Sequence, residues 1–143
     1  MKRLFFLALI LMVFIVFPQR QACSQDIAVL DSGHALHASF LEFAYSRIQV
    51  INRSFMHTPD KMQVENTEAL YTARYQKIDP STVVIEVKKV NSVHSPFIGV
   101  LQYVESIYEG NGQCSLSVVQ GPFTAVHHRK VTEIFRFFHN RWQ

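Results

Sequence analysis

Three features of the chain predict an α+β fold: one long N-terminal helix packed on a curved, mostly antiparallel four- to five-stranded sheet. Apolar residues recur at steps of three and four from Leu36 to Phe55. After Ala69 the repeat changes to steps of two. The later runs are joined by connections too short for parallel crossovers, which makes neighbours antiparallel.

The first segment reads as an address and not as part of the fold. Met1-Lys2-Arg3 is a short positive region, and Leu4 to Phe17 is a run of fourteen apolar residues ended by Pro18. Fourteen residues make a helix of roughly 21 Å, short of a bilayer core of about 30 Å. Ala22-Cys23-Ser24 has small residues at both ends, so residues 1–24 are expected to be a cleaved signal peptide, with the cut before Gln25. Two rivals stay open: lipidation of Cys23, against which Arg20 stands where an aliphatic residue belongs, and an uncleaved anchor. The expected location is periplasmic or extracellular, with the membrane reached only through the signal segment or a lipid anchor.

Residues 25–143 are expected to form one α+β domain. Asp31 or Ser32 can cap the helix. Its apolar face is Leu36, Phe40, Phe43, Ala44, Ile48, Ile51 and Phe55; His37, Glu42, Arg47, Gln49 and Arg53 lie opposite. Thr58-Pro59-Asp60 stops it near His57. Lys61 to Glu68 fits either a short helix or a loop. Leu70–Ile78 and Thr82–Val90 alternate as strands, and Asp79-Pro80-Ser81 between them predicts a hairpin. Phe97–Tyr108 is a third strand, in which Gly99 marks a place where something packs close. Glu109-Gly110-Asn111-Gly112 reads as a tight turn, Cys114–Val119 as a short strand and Val126–Phe138 as the last long strand, after which Trp142 folds back as a plug.

This layout resembles the cystatin-like and NTF2-like architectures. No motif of either family carries the resemblance, so it assigns no functional residue, and the layout itself hosts inhibitors, enzymes and binding modules.

Charge excludes one class. The full chain has a formal net charge of +3, but Lys2, Arg3 and Arg20 lie in the signal segment with no acid beside them, so the remainder is neutral. The basic balance is therefore no argument for nucleic acid. Cys114 is the single thiol left after the expected cut, which rules out an internal disulfide framework there. It reads as a small hydrophobe beside a turn or as a nucleophile in want of a base.

Four sets of residues are candidates for chemistry. Tyr71, Tyr75, Tyr103 and Tyr108 suit a ligand pocket on a concave sheet face, or else its core. Asp31, His34 and His37, three apart on one helix flank, are candidate metal ligands. Glu86, Glu105 and Glu133 could supply a carboxylate pair. His127-His128-Arg129-Lys130 is either an anion patch or a solvent-facing strand, with the two histidines on opposite faces. Glycine-rich phosphate loops, zinc motifs and a nucleophile elbow do not occur. No cofactor is implied. Asn52-Arg53-Ser54 is a glycosylation sequon placed mid-helix. Three functions stay open: a non-enzymatic binding or accessory domain with a protein or small-molecule partner in the cell envelope, a small enzyme using a sheet pocket, and a metal binder.

Overall fold

The computed structural model describes residues 27–68 and 70–143. The signal-peptide reading of residues 1–24, and with it Cys23, lies outside the described residues. Among the described residues no helix is long and apolar enough to cross a membrane.

The fold is α+β, with one helix packed on an open, mostly antiparallel sheet. The elements are β1 (Ala28–Val29), α1 (Ala35–Ser54), β2 (Gln63–Thr67), β3 (Leu70–Ile78), β4 (Val84–Lys89), β5 (Phe97–Gly112), α2 (Ser115–Val118), β6 (Thr124–Phe138) and β7 (Arg141–Trp142). Among the described residues the sheet has seven strands, not four to five. The surplus comes from β1 and β7, which are two residues each, and from β2, which occupies the ambiguous stretch before Glu68.

Strand β5 is the spine. Along one edge it pairs with β6 from Ile98 to Glu109. Along the other it pairs with β4 through Phe97–Gln102 and with β3 through Glu105–Gly112. Both pairings are antiparallel, so β3 and β4 run in the same direction. They are not the predicted hairpin. Asp79-Pro80-Ser81 opens a single 3-10 turn, Pro80–Thr82, that steps the chain sideways without reversing it. Asp79 caps that turn by accepting the Ser81 N–H at 2.9 Å, and this bond holds its carboxyl below the ordinary range. Thr82 Oγ1 accepts the Val104 N–H at 3.2 Å, filling the gap in the ladder.

The sheet thus has a proximal half, around β4, and a distal half, around β3. Its front is the face under α1. Every predicted apolar position of α1 is buried or packed on the core. Phe40, Ala44 and Ile48 are fully covered and meet Ile78, Val87, Leu101, Tyr103 and Trp142. Burying a large apolar side chain stabilises by roughly 1.5–3 kcal/mol, so this cluster anchors the domain. Gly99 lies directly beneath the Phe40 ring, where a Cβ would overlap ring carbons. Trp142 plugs the cluster as expected, and its indole N–H donates to Ser39 Oγ at 3.3 Å. A two-residue turn at His139-Asn140, both with positive φ, brings it back. The helix begins later than expected: His34 caps it, Nδ1 accepting the Leu36 N–H at 3.1 Å.

The distal half is covered on the other side. Strand β5 continues through Glu109-Gly110-Asn111-Gly112, the predicted turn, because both glycines lie under packed neighbours. A Cβ on Gly110 would press on Phe123, and one on Gly112 on Ser117 and Val118. The Cys114–Val119 stretch is the short helix α2, not a strand, and it buries Val118.

Candidate functional site

Helix α1 stops at Ser54, while β3, β5 and β6 run on beyond it. Alternation then decides what that uncovered front presents. Leu101, Tyr103 and Ile78 face the helix, so Gln76, Arg74 and Thr72 on β3 face the same way. So do Glu105, Ile107 and Glu109 on β5, and His127 and Arg129 on β6. Every one of these except Ile107 is polar.

Three clefts open on this surface, and Gln76 lines all of them. One of about 400 Å³ lies between the end of α1 and β3, against Gln49, Asn52, Arg53, Thr58 and Asp60. A second, of about 190 Å³, is bounded by Glu105, Ile107, His127 and Arg129. A third, of about 240 Å³, is bounded by His57, Gln63, Arg74, Ile107 and the candidate Tyr75. All three adjoin at Gln76, and the second and third also share Ile107; together they are termed the groove. The outer edge of β3 is fixed here by α1 and its exit. Asn52 donates to the Ile78 carbonyl at 3.0 Å and accepts the Ile78 N–H at 2.7 Å, and the Gln76 N–H donates to His57 O at 2.9 Å.

Three of the six charged residues that line the clefts are already paired. Arg129 donates through Nε and Nη2 to Glu105 Oε2, at 2.9 and 2.5 Å. Arg74 donates through Nε to Glu109 Oε2 at 2.7 Å and lies 3.6 Å from Glu65, and the Glu109 bond raises its guanidinium pKa. Arg53, Lys77 and Asp60, which line the first cleft, form no ion pair among the described residues. The groups with spare hydrogen-bonding capacity are therefore the Gln76 and Gln49 amides, the His57 and His127 imidazoles, the Asp60 carboxylate, and the Arg53 and Lys77 cations. Such a lining offers several hydrogen-bond donors and acceptors to solvent.

The four candidate tyrosines do not share a face. Tyr75 stacks on Tyr108 at 5.0 Å between ring centroids on the back of the distal half, with Phe123 edge-on at 5.1 Å. Tyr71 faces the same way by alternation. Tyr103 lies on the front, buried under α1, where its hydroxyl donates to Glu133 Oε1 at 3.2 Å. Burial, and then the Glu133 carboxylate, push its phenol up to about 12. Arg47, expected on the solvent side of α1, reaches the same carboxylate at 3.2 and 3.3 Å.

Asp31 and His34 serve the helix start: Asp31 accepts the Gly33 N–H at 2.8 Å and His34 is the cap. No three His, Cys, Asp or Glu side chains converge on a common point among the described residues. Glu105 and Glu133 do face the front on neighbouring strands, each held by an arginine, whereas Glu86 is on the back with Lys88. His127 and His128 take opposite faces, and His128 Nδ1 lies 2.9 Å from the buried Ser106 Oγ on the back. Cys114 is exposed. The Ser117 hydroxyl, and after it backbone N–H groups, lower its thiol pKa.

Gln76, Arg74 and Asn52 were not among the sequence candidates. The usable signal was the polar row Thr72, Arg74, Gln76, alternating with Tyr71, Ala73 and Tyr75. Comparison with protein families, with curated proteins and with solved structures finds no match.

Proposed function

We propose that this chain is a small exported, non-enzymatic binding or accessory domain whose front groove takes a polar ligand or a polar segment of an envelope partner. The meeting of three clefts at Gln76, on the stretch of front that α1 leaves open, carries the reading. A groove in which Glu105 is bonded to Arg129, and whose free groups are amides, imidazoles, the Asp60 carboxylate and two cations, suits recognition of a polar ligand. Export rests on the apolar run Leu4–Phe17 and the small-residue triplet at Cys23. The finer layout, a helix across a meander of long strands, fits a variant of the cystatin-like or NTF2-like arrangements, with the β3–β4 step as its own feature.

Two measurements test the proposal. Intact mass of the protein recovered from its native envelope fraction should begin at Gln25; a mass beginning at an acylated Cys23 would move the domain to a lipid-tethered setting. Amide shifts followed by NMR during titration with fractionated envelope extract should move at Gln76, Glu105 and His127, and Gln76→Ala should abolish the response. Shifts confined to Tyr75, Tyr108 and their neighbours would transfer the site to the back of the sheet.

A further inference from the structure

The back of the proximal half is uncovered among the described residues. Helix α1 lies on the front, and α2 packs on β3 and β5 in the distal half. Register gives the composition of this back face. Val84, Glu86 and Lys88 on β4 lie beside Gln102, Val100 and Ile98 on β5, and these lie beside Thr132, Ile134 and Arg136 on β6. Val29 extends the row of Lys88, and Lys130 stands opposite Val104. Arg141 shares the face through its pairing with Phe138, two residues beyond Arg136. From Lys130 to Arg136 and from β1 to β6 the patch spans roughly 20 Å by 14 Å.

Two properties distinguish it from an ordinary solvated sheet face. Its middle is apolar, and Val29, Val84 and Ile134 are more than half exposed. Its charge is one-sided. Lys88, Lys130, Arg136 and Arg141 stand against one carboxylate, Glu86, which Lys88 holds at 2.8 Å. Lys130, Arg136 and Arg141 form no ion pair among the described residues. The acids of β5 and β6, Glu105, Glu109 and Glu133, all lie on the front.

We propose that this face docks flat on a bilayer surface that carries anionic lipid. Val84 and Ile134 enter the headgroup boundary, while Lys130, Arg136 and Arg141 reach lipid phosphates on their long stems. Charge argues against a second copy as the occupant, because a two-fold would lay three unpaired cations on three more. The exposed apolar middle argues against a plain polyanion, which would leave Val84 and Ile134 in water. The contact does not rest on the front groove, which stays open on the opposite side of the sheet.

Cosedimentation of the protein recovered from its envelope fraction tests the proposal. The vesicles are equal parts phosphatidylglycerol and phosphatidylcholine, with phosphatidylcholine alone as the reference. Binding to the anionic vesicles should be roughly a hundredfold tighter than to the reference, and should weaken as salt rises. Lys130→Glu should weaken it roughly 25-fold and Arg136→Gln roughly fivefold. Ile134→Ser should weaken it by about threefold or more. All three positions are exposed, so the variants should keep the parent circular dichroism. Lys61→Glu, an equal charge reversal in the turn after α1, should have a far smaller effect. Equal losses from Lys61→Glu and Lys130→Glu would mean that overall charge draws the protein to lipid, and would overturn the proposal. So would equal binding to the two kinds of vesicle, or binding to neither. Binding to polyglutamate that matches the anionic vesicles and ignores Ile134→Ser would assign the face to an acidic protein partner, and would overturn it as well.

Discussion

The proximal half of the sheet hides its front and the distal half hides its back. In the proximal half, α1 lays Phe40, Ala44 and Ile48 on Leu101 and Tyr103, with Gly99 letting the Phe40 ring sit on bare backbone. In the distal half, α2 and Phe123 lie on the opposite face over Gly110, Gly112 and the Tyr75–Tyr108 stack. The same strands pass through both halves, so the switch of covered face comes from what is laid on them. One half becomes the anchor. The other keeps a polar front open at the level where a ligand can reach it.

The largest break in this contrast is Phe40→Ala. Phe40 is fully buried, and its truncation should cost about 3–5 kcal/mol, read as a lowered midpoint in urea unfolding. Phe123→Ala tests the distal cover. Phe123 is only partly buried, so roughly 2 kcal/mol is expected by the same assay, and the amides around Tyr75 and Gly110 should lose exchange protection before those around Leu101. A loss as large as that of Phe40→Ala would mean the two halves unfold as one.

The polar seam beneath α1 gives a pH-dependent effect of intermediate size. Between the ordinary pKa of 10.0 and the raised value of about 12, the folded protein keeps the Tyr103 proton while the unfolded chain releases it. Stability should be undiminished by this group below pH 10 and fall by about 2 kcal/mol as pH rises toward 12. Tyr103→Phe should flatten that decline in a pH series of unfolding curves. The smallest effect is expected from Gln76→Ala, which should leave stability within about 0.5 kcal/mol of the parent while removing the groove's shared wall. A loss several times larger would make Gln76 a structural residue and not a recognition one.

The helix could be read from the sequence because periodicity reports burial directly: each apolar step from Leu36 to Phe55 is a contact. Gly99 and Trp142 were legible for a similar reason, since a missing side chain and a large terminal ring each have one economical use. Pairing was less legible. Asp79-Pro80-Ser81 signals a break in a strand, and only the length of β5, which accepts both β3 and β4 on one edge, decides that the chain steps instead of turning back. Glycines 110 and 112 look like a turn until Phe123 and Val118 are seen on them. The groove was the least legible, because it is defined by where α1 ends relative to strands far along the chain. Gln76 carries no reactive chemistry that would single it out.

The step between β3 and β4 has a use in protein engineering. Five residues, Asp79 to Val83, lie opposite only Tyr103 and Val104 of β5, while the pairs Ile78–Glu105 and Val84–Gln102 fix the register on either side. Lengthening an exposed connection adds little closure entropy, and here neither flanking ladder depends on its length. A short epitope or a reporter group spliced at Pro80-Ser81 would project from the sheet margin and leave both halves in place.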